Sequence, residues 1–208
     1  MISNVTITEL FPTPVLIFDV DLDIDAAFEE TMVSETWKDE LLDGVQNGSV
    51  MKQIYDKMHE EIGKFSKQYE LPGEVKLATV WRIWHEYKDR ETAHFHFGGF
   101  FSSVLYLKTP EGGGDLMVLD PRGPICWSMF NTEHYNSSPG SGASDCRVYH
   151  RIKPKAGRVV VLPSWLMHYS EQNFSQEDPR VLVVSDWTLT GWENTGRNQD
   201  TNKDVKTL

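Results

Sequence analysis

Hydrophobic positions recur along this chain in two different rhythms. Between residues 49 and 70, Val50, Met51, Ile54, Met58, Ile62, Phe65 and Tyr69 return at steps of one, three or four. That spacing gathers side chains on one face of an α-helix. Ser49 is placed to cap the helix, and Leu71-Pro72-Gly73 stops it. A shorter helix is expected over 23–35. Beyond Gly73 the period drops to two. Leu77, Thr79, Trp81, Ile83, His85 and Tyr87 fall on one side of a strand, and Ala78, Val80, Arg82, Trp84 and Glu86 on the other.

Further strands are expected at 15–18, after the turn-forming Phe11-Pro12-Thr13-Pro14, and at 93–97, 101–108, 115–119, 158–162 and 180–189. Gly112-Gly113-Gly114 makes a tight connection. Helices come first and many short strands follow. The expectation is a mainly β fold with flanking helices, a sandwich or barrel. It forms one domain over 1–190, with helical support from 23–70 and a barrel core from 75–189.

Two stretches interrupt the rhythm. Residues 121–150 mix Pro, Gly, Ser and Asn with scattered aromatics, Trp127, Phe130, Tyr135 and Tyr149. Such a stretch is either a long surface excursion or a lid over a site. Residues 191–208 are polar and read as a tail.

Composition narrows the function classes. The 208 residues are 39% hydrophobic and 12% aromatic, which excludes a disordered or collagen-like chain. A net charge of −11 argues against general phosphate-backbone binding, which needs a basic face. No apolar run approaches the roughly 20 residues of a membrane span. The opening MISNVTITEL lacks the basic and apolar regions of a secretory signal. Cys126 and Cys146 are too few for a disulfide framework or a Cys-rich zinc site. Reduced thiols and a cytoplasmic location are therefore expected.

The histidines carry the chemistry. His94 and His96 stand in AHFHF. On a strand, residues i and i+2 point the same way, so both imidazoles share a face and Phe95 and Phe97 share the other. Alone, the pair is either two adjacent metal ligands or two strand histidines with ordinary hydrogen bonds. His168 shifts that balance. It follows the β-branched run Arg158–Leu162 and the turn Pro163-Ser164-Trp165, at the start of the next strand. A barrel can bring it beside His94 and His96. Three such ligands leave metal positions open for a substrate or oxygen.

Arg180 heads the apolar run VLVVSDW. There it can point into a barrel, where a buried guanidinium needs an anionic partner and its planar fork suits a carboxylate. The alternative is a surface ion pair with Glu177 or Asp178. Trp81 reads as core packing.

These residues resemble the 2-oxoglutarate- and Fe(II)-dependent oxygenases with a double-stranded β-helix core, the jelly-roll, cupin-like fold. The likeness is nearest to an oxygenase subfamily of marine bacteria and phages. It rests on Phe11-Pro12-Thr13-Pro14, His94-Phe95-His96, Ser102–Leu107, Pro110-Glu111, Asp120-Pro121-Arg122, Pro154–Arg158, Leu162–His168 and Arg180. It spans residues 11–186, and Pro154–His168 is its most specific piece.

The resemblance implies His94, His96 and His168 as iron ligands. It implies Arg180 as the clamp for the distal carboxylate of 2-oxoglutarate, with Tyr106 hydrogen-bonding the same cosubstrate. Fe(II), 2-oxoglutarate and O2 are implied, with ascorbate as a supporting reductant. The implied reaction couples oxidative decarboxylation of 2-oxoglutarate, to succinate and CO2, with hydroxylation of a small-molecule or peptide substrate.

Three departures stand out. The wider superfamily has a carboxylate where this chain has His96. Asp115 or Asp120 could supply one, although neither has strand spacing to His94. Ser103 replaces a family glycine, and the family's Arg-x-Ser is Arg180-Val181-Leu182 here, without the hydroxyl. Two other functions stay open. One is a cupin-type metal protein or dioxygenase that uses no 2-oxo acid. The other is a non-catalytic binding module of the same fold.

Overall fold

The β-branched runs of the second half make the central sheet. A computed structural model describes residues 13–32, 50–122 and 149–191. Its elements in chain order are β1 (Leu16–Asp19), α1 (Ile24–Thr31), α2 (Val50–Gln68), β2 (Val75–His85), β3 (Phe101–Lys108), β4 (Leu116–Leu119), β5 (Tyr149–Ile152), β6 (Arg158–Pro163), β7 (His168–Ser170) and β8 (Arg180–Leu189). Five strands form one antiparallel sheet in the order β1-β6-β3-β8-β2, and three form a second in the order β5-β4-β7. The architecture is the expected mainly β jelly roll with flanking helices.

The two faces of the large sheet have different jobs. Its outer face, with Leu105, Val159, Val161, Val181, Val183 and Trp187, packs on α1 and α2. From α2 come Met51, Ile54, Tyr55, Met58, Ile62 and Phe65. Val50 is half-buried there, but Tyr69 lies beyond the helix end and is exposed. The inner face, with Val104, Tyr106, Val160, Leu162, Leu182 and Val184, faces the small sheet through Leu116, Val118 and Ile152. Alternation along each strand sends successive side chains into these two cores.

Ser103 belongs to the outer core. Its hydroxyl accepts from Trp187 Nε1 at 2.8 Å, giving the departure from the family glycine a structural use. Helix α1 starts on Asp23, whose carboxylate accepts from the Ala26 amide. Helix α2 is capped from α1, because Glu30 accepts the Val50 and Met51 amides at 3.1 and 2.9 Å.

Several expectations change. β2 carries a bulge between Leu77 and Thr79. A bulge inserts an unpaired residue and reverses the alternation beyond it. Leu77 therefore packs with the helical core, whereas Trp81, Ile83 and His85 line the space between the sheets. The strand also ends at His85, so Tyr87 lies outside it. The strand expected at 93–97 is reduced to a single bridge between His94 and His168. β5 was not expected, since its four residues fall where an irregular excursion begins to end. Phe11, Pro12, residues 33–35, Ser49, most of the 121–150 stretch and residues 192–208 lie outside the described residues, as do Cys126 and Cys146. Among the described residues, no helix is long and apolar enough to cross a membrane.

Candidate active site

The space between the two sheets opens into a cavity of about 470 Å³. Three adjacent strands of the large sheet, β3, β8 and the edge strand β2, supply one wall. Trp81, Ile83 and His85 come from β2, Val104 and Tyr106 from β3, and Leu182, Val184 and Asp186 from β8. Opposite them stand Leu116, His168, Tyr169 and Ser170, with His94 and His96 from the segment before β3.

Backbone pairing fixes the histidines. His94 and His168 exchange both amide hydrogen bonds, at 2.9 and 3.0 Å, and the His96 amide donates to Ser164 O at 2.8 Å. His94 and His96 project to one side, as two-residue spacing requires. One ring nitrogen from each of His94, His96 and His168 lies within 4.8 Å of the others.

Each ring is oriented by its other nitrogen. His94 Nδ1 donates to Thr92 O at 2.6 Å, and His168 Nδ1 to Leu166 O at 2.8 Å. His96 Nδ1 donates to the Asp186 carboxylate at 2.8 Å, with Ser102 Oγ at 3.2 Å. A neutral imidazole that donates through Nδ1 keeps its Nε2 lone pair free, the arrangement metal-binding histidines adopt. Burial pushes the His168 pKa down to about 4, and the neighbouring His94 and His96 push the same way. Its ring is therefore neutral and able to ligate near pH 7. The three imidazoles thus fit a divalent metal bound on one face.

Asp186, whose carboxylate holds the His96 ring, carried little signal in the sequence. It lies six residues after Arg180 on the same strand face, and that spacing was its only signal. Asp115 and Asp120 are not part of the cluster of His94, His96 and His168 that could hold a metal. Asp115 faces Arg151 at 3.4 Å, and Asp120 pairs with Arg122 at 2.6 Å. Trp81 is more than core packing: it lines the cavity and stacks on His96 with ring centroids 5.6 Å apart. Phe97 and Trp165 are 64% and 56% exposed. Phe95 and Phe97 both line the cavity and meet with tilted rings, centroids 4.3 Å apart.

The far end of the cavity differs from expectation. Arg180 is buried, at 1% exposure, as a barrel-facing arginine should be. It makes no ion pair with Glu177 or Asp178. Its Nη1 donates to Gly113 O and Gly114 O, its Nη2 to Glu171 O and to His85 Nδ1, and its Nε also to His85 Nδ1. The glycine turn builds this cradle. Gly114 has φ +77°, and a Cβ there would sit 2.6 Å from Gln172 O. Tyr106 is buried and faces the cavity from β3, and its burial raises the hydroxyl pKa, so it remains a protonated donor.

Residues 79–186, just over half of the chain, match the model of a protein family described as "Putative 2OG-Fe(II) oxygenase". Comparison with curated proteins finds no sequence match. Among solved structures, the fold is similar to a Pseudomonas putida prolyl-4-hydroxylase. The identity is 15%, covering 85% of this chain and 88% of that one, with a TM-score of 0.54. It is similar also to SnoN, a non-heme alpha ketoglutarate dependent epimerase from nogalamycin biosynthesis. There the identity is 11%, the coverage 85% and 76%, and the TM-score 0.57. An oxidoreductase of the 2OG-Fe(II) oxygenase family from Burkholderia pseudomallei aligns at 15% identity over 60% of this chain, with a TM-score of 0.42. This chain spans half of that protein's length. The family match covers His94, His96, His168 and Arg180, and the chain belongs to the 2OG-Fe(II) oxygenase family, whose metal is Fe(II) and whose cosubstrate is 2-oxoglutarate.

Proposed function

We propose that this protein is a 2-oxoglutarate- and Fe(II)-dependent hydroxylase of a small-molecule or peptide substrate, releasing succinate and CO2. One observation carries the reading. Three imidazoles, each held through Nδ1 by a hydrogen bond, bring one ring nitrogen apiece within 4.8 Å of one another at a cavity between the sheets. His94, His96 and His168 would hold the metal. The iron, with 2-oxoglutarate and O2, supplies the oxidising chemistry.

The chain's own residues bind, orient and exclude. Asp186 fixes the His96 ring and places a negative charge directly behind it. That charge offsets the missing carboxylate ligand, because an imidazole hydrogen-bonded to a carboxylate is a more basic ligand. Trp81 holds the other side of the His96 ring. Ile83, Val104, Leu182 and Val184 give the middle of the cavity an apolar wall that a cosubstrate's methylenes can cover. Tyr106 offers its hydroxyl, and Arg180 puts positive charge at the far end.

Succinate release with Fe(II), ascorbate and O2 tests this without knowledge of the substrate, because uncoupled turnover suffices. The expected result is 2-oxoglutarate consumption that the His168→Ala variant lacks. Equal turnover by wild type and variant, or none by either, would sink it.

A second reading has one observation in its favour. Arg180 has no N–H left to give a carboxylate. A cupin-type dioxygenase without a 2-oxo acid would need no such donor. Metal-dependent binding of 2-oxoglutarate separates the two.

A further inference from the structure

The resemblance assigns a carboxylate clamp to Arg180, yet Arg180 is not among the residues that line this cavity. All five guanidinium N–H groups are spent on Gly113 O, Gly114 O, Glu171 O and His85 Nδ1. The residue it grips is the one that faces the cavity. His85 ends β2 directly opposite Arg180 in the strand register and is 3% exposed. Its Nδ1 accepts from two Arg180 nitrogens, Nη2 at 2.9 Å and Nε at 3.3 Å. A ring nitrogen that accepts has no proton, so a neutral His85 carries its hydrogen on Nε2. Burial, and then the Arg180 charge, lower the His85 pKa and keep the ring neutral. Nε2 is buried and has no hydrogen-bond partner. A buried donor left unpaired is costly unless something arrives to accept from it.

The strand register sets the two ends of the cavity. Asp186 and Ser102 are opposite each other at the metal end, and Trp81 pairs with Val184. Ile83 and Tyr106 both flank Leu182, and His85 pairs with Arg180. The order along the wall is imidazoles, apolar rungs, then an N–H backed by a buried cation. A ligand that chelates a metal at one end and carries an anion at the other matches that order. One anion already approaches: Glu91 Oε1 lies 3.4 Å from His85 Nε2, at the partly exposed rim.

The geometry points to His85 Nε2–H as the donor for the distal carboxylate of the 2-oxo acid, with Arg180 as the positioning residue that holds the imidazole from behind. The inference rests on the 2-oxoglutarate reading above. Arg180 fixes the tautomer, orients the ring and supplies its charge through the imidazole. Glu91 occupies the neighbourhood of the same N–H and must give way when the cosubstrate enters.

The experiment compares two probes on Mn(II)-loaded protein by calorimetry: 2-oxoglutarate, and 2-oxobutyrate, which has the same chelating end but no distal carboxylate. Wild type should prefer 2-oxoglutarate by at least about tenfold, the worth of a hydrogen bond to a charged group. His85→Leu should abolish that preference while Mn(II) affinity stays as it was. His85→Gln, whose amide can donate from a similar place, should recover part of it. Glu91→Gln, a rim change that leaves the core intact, should tighten 2-oxoglutarate several-fold and leave 2-oxobutyrate unmoved. Wild type that binds no 2-oxoglutarate would overturn the functional reading and this inference together. Wild type that binds it, with the preference intact in His85→Leu or Glu91→Gln without effect, would overturn this inference alone.

Discussion

The two ends of the cavity are built on opposite plans. At the metal end, three histidines each spend Nδ1 on a hydrogen-bond partner, and one ring nitrogen from each lies within 4.8 Å of the others. At the far end, Arg180 spends every N–H, and the free donor is on the histidine it holds. In the first case the residue that identifies the family is the one that faces the ligand. In the second the identifying residue sits one layer back. Residue type therefore reports the chemistry of a site more reliably than it reports which atom makes contact.

The largest effect should come from the metal end. His168→Ala removes a ligand from a three-imidazole site and should lower Mn(II) or Fe(II) affinity by more than about 100-fold. Metal content of purified protein and calorimetric titration measure it, and the folded secondary structure should persist.

Acid should act next. The ordinary histidine pKa of 6.5 falls to about 4 for His168 in the fold. As pH drops through 6.5, the unfolded chain takes up the proton first. Stability of the metal-free protein is then lost progressively between about pH 6.5 and 4, and is fully present above that window. The shift corresponds to about 3 kcal/mol as an upper bound. His85, also lowered, adds in the same direction. Urea midpoints of the chelator-treated protein at pH 7.5 and 4.5 check the sign, and His168→Asn should flatten the difference.

A smaller effect is expected behind the metal. Asp186→Asn keeps the shape but removes the charge from the His96 partner. Metal affinity should fall about 10-fold to 100-fold. The ratio of 2-oxoglutarate to 2-oxobutyrate affinity, which reads the far end, should not move. A change in that ratio would show that the two ends do not act separately. The smallest effect tests the missing hydroxyl. Leu182 lines the cavity and is paired with both Ile83 and Tyr106. Leu182→Ser should tighten 2-oxoglutarate about fivefold, the worth of one neutral hydrogen bond.

Much of this was legible from residue pattern. β3 and β8 run where continuous apolar and β-branched stretches placed them, and His168 does begin a strand beside His94. Those elements are buried on both faces, so packing and propensity agree. The bulge in β2 was not legible, because it depends on how β8 pairs with it. It decides which face Trp81 and His85 occupy. Asp186 and His85 were silent for the same reason. A strand aspartate or histidine shows its use only when a partner from elsewhere in the chain comes opposite: His96 ninety residues away for one, Arg180 for the other.

The most direct test of the central claim is calorimetric titration of the protein with Mn(II), followed by 2-oxoglutarate. One Mn(II) per chain, and 2-oxoglutarate binding only once that metal is present, is the predicted result. Binding of 2-oxoglutarate that ignores the metal, or its absence from metal-loaded wild type, would contradict the account.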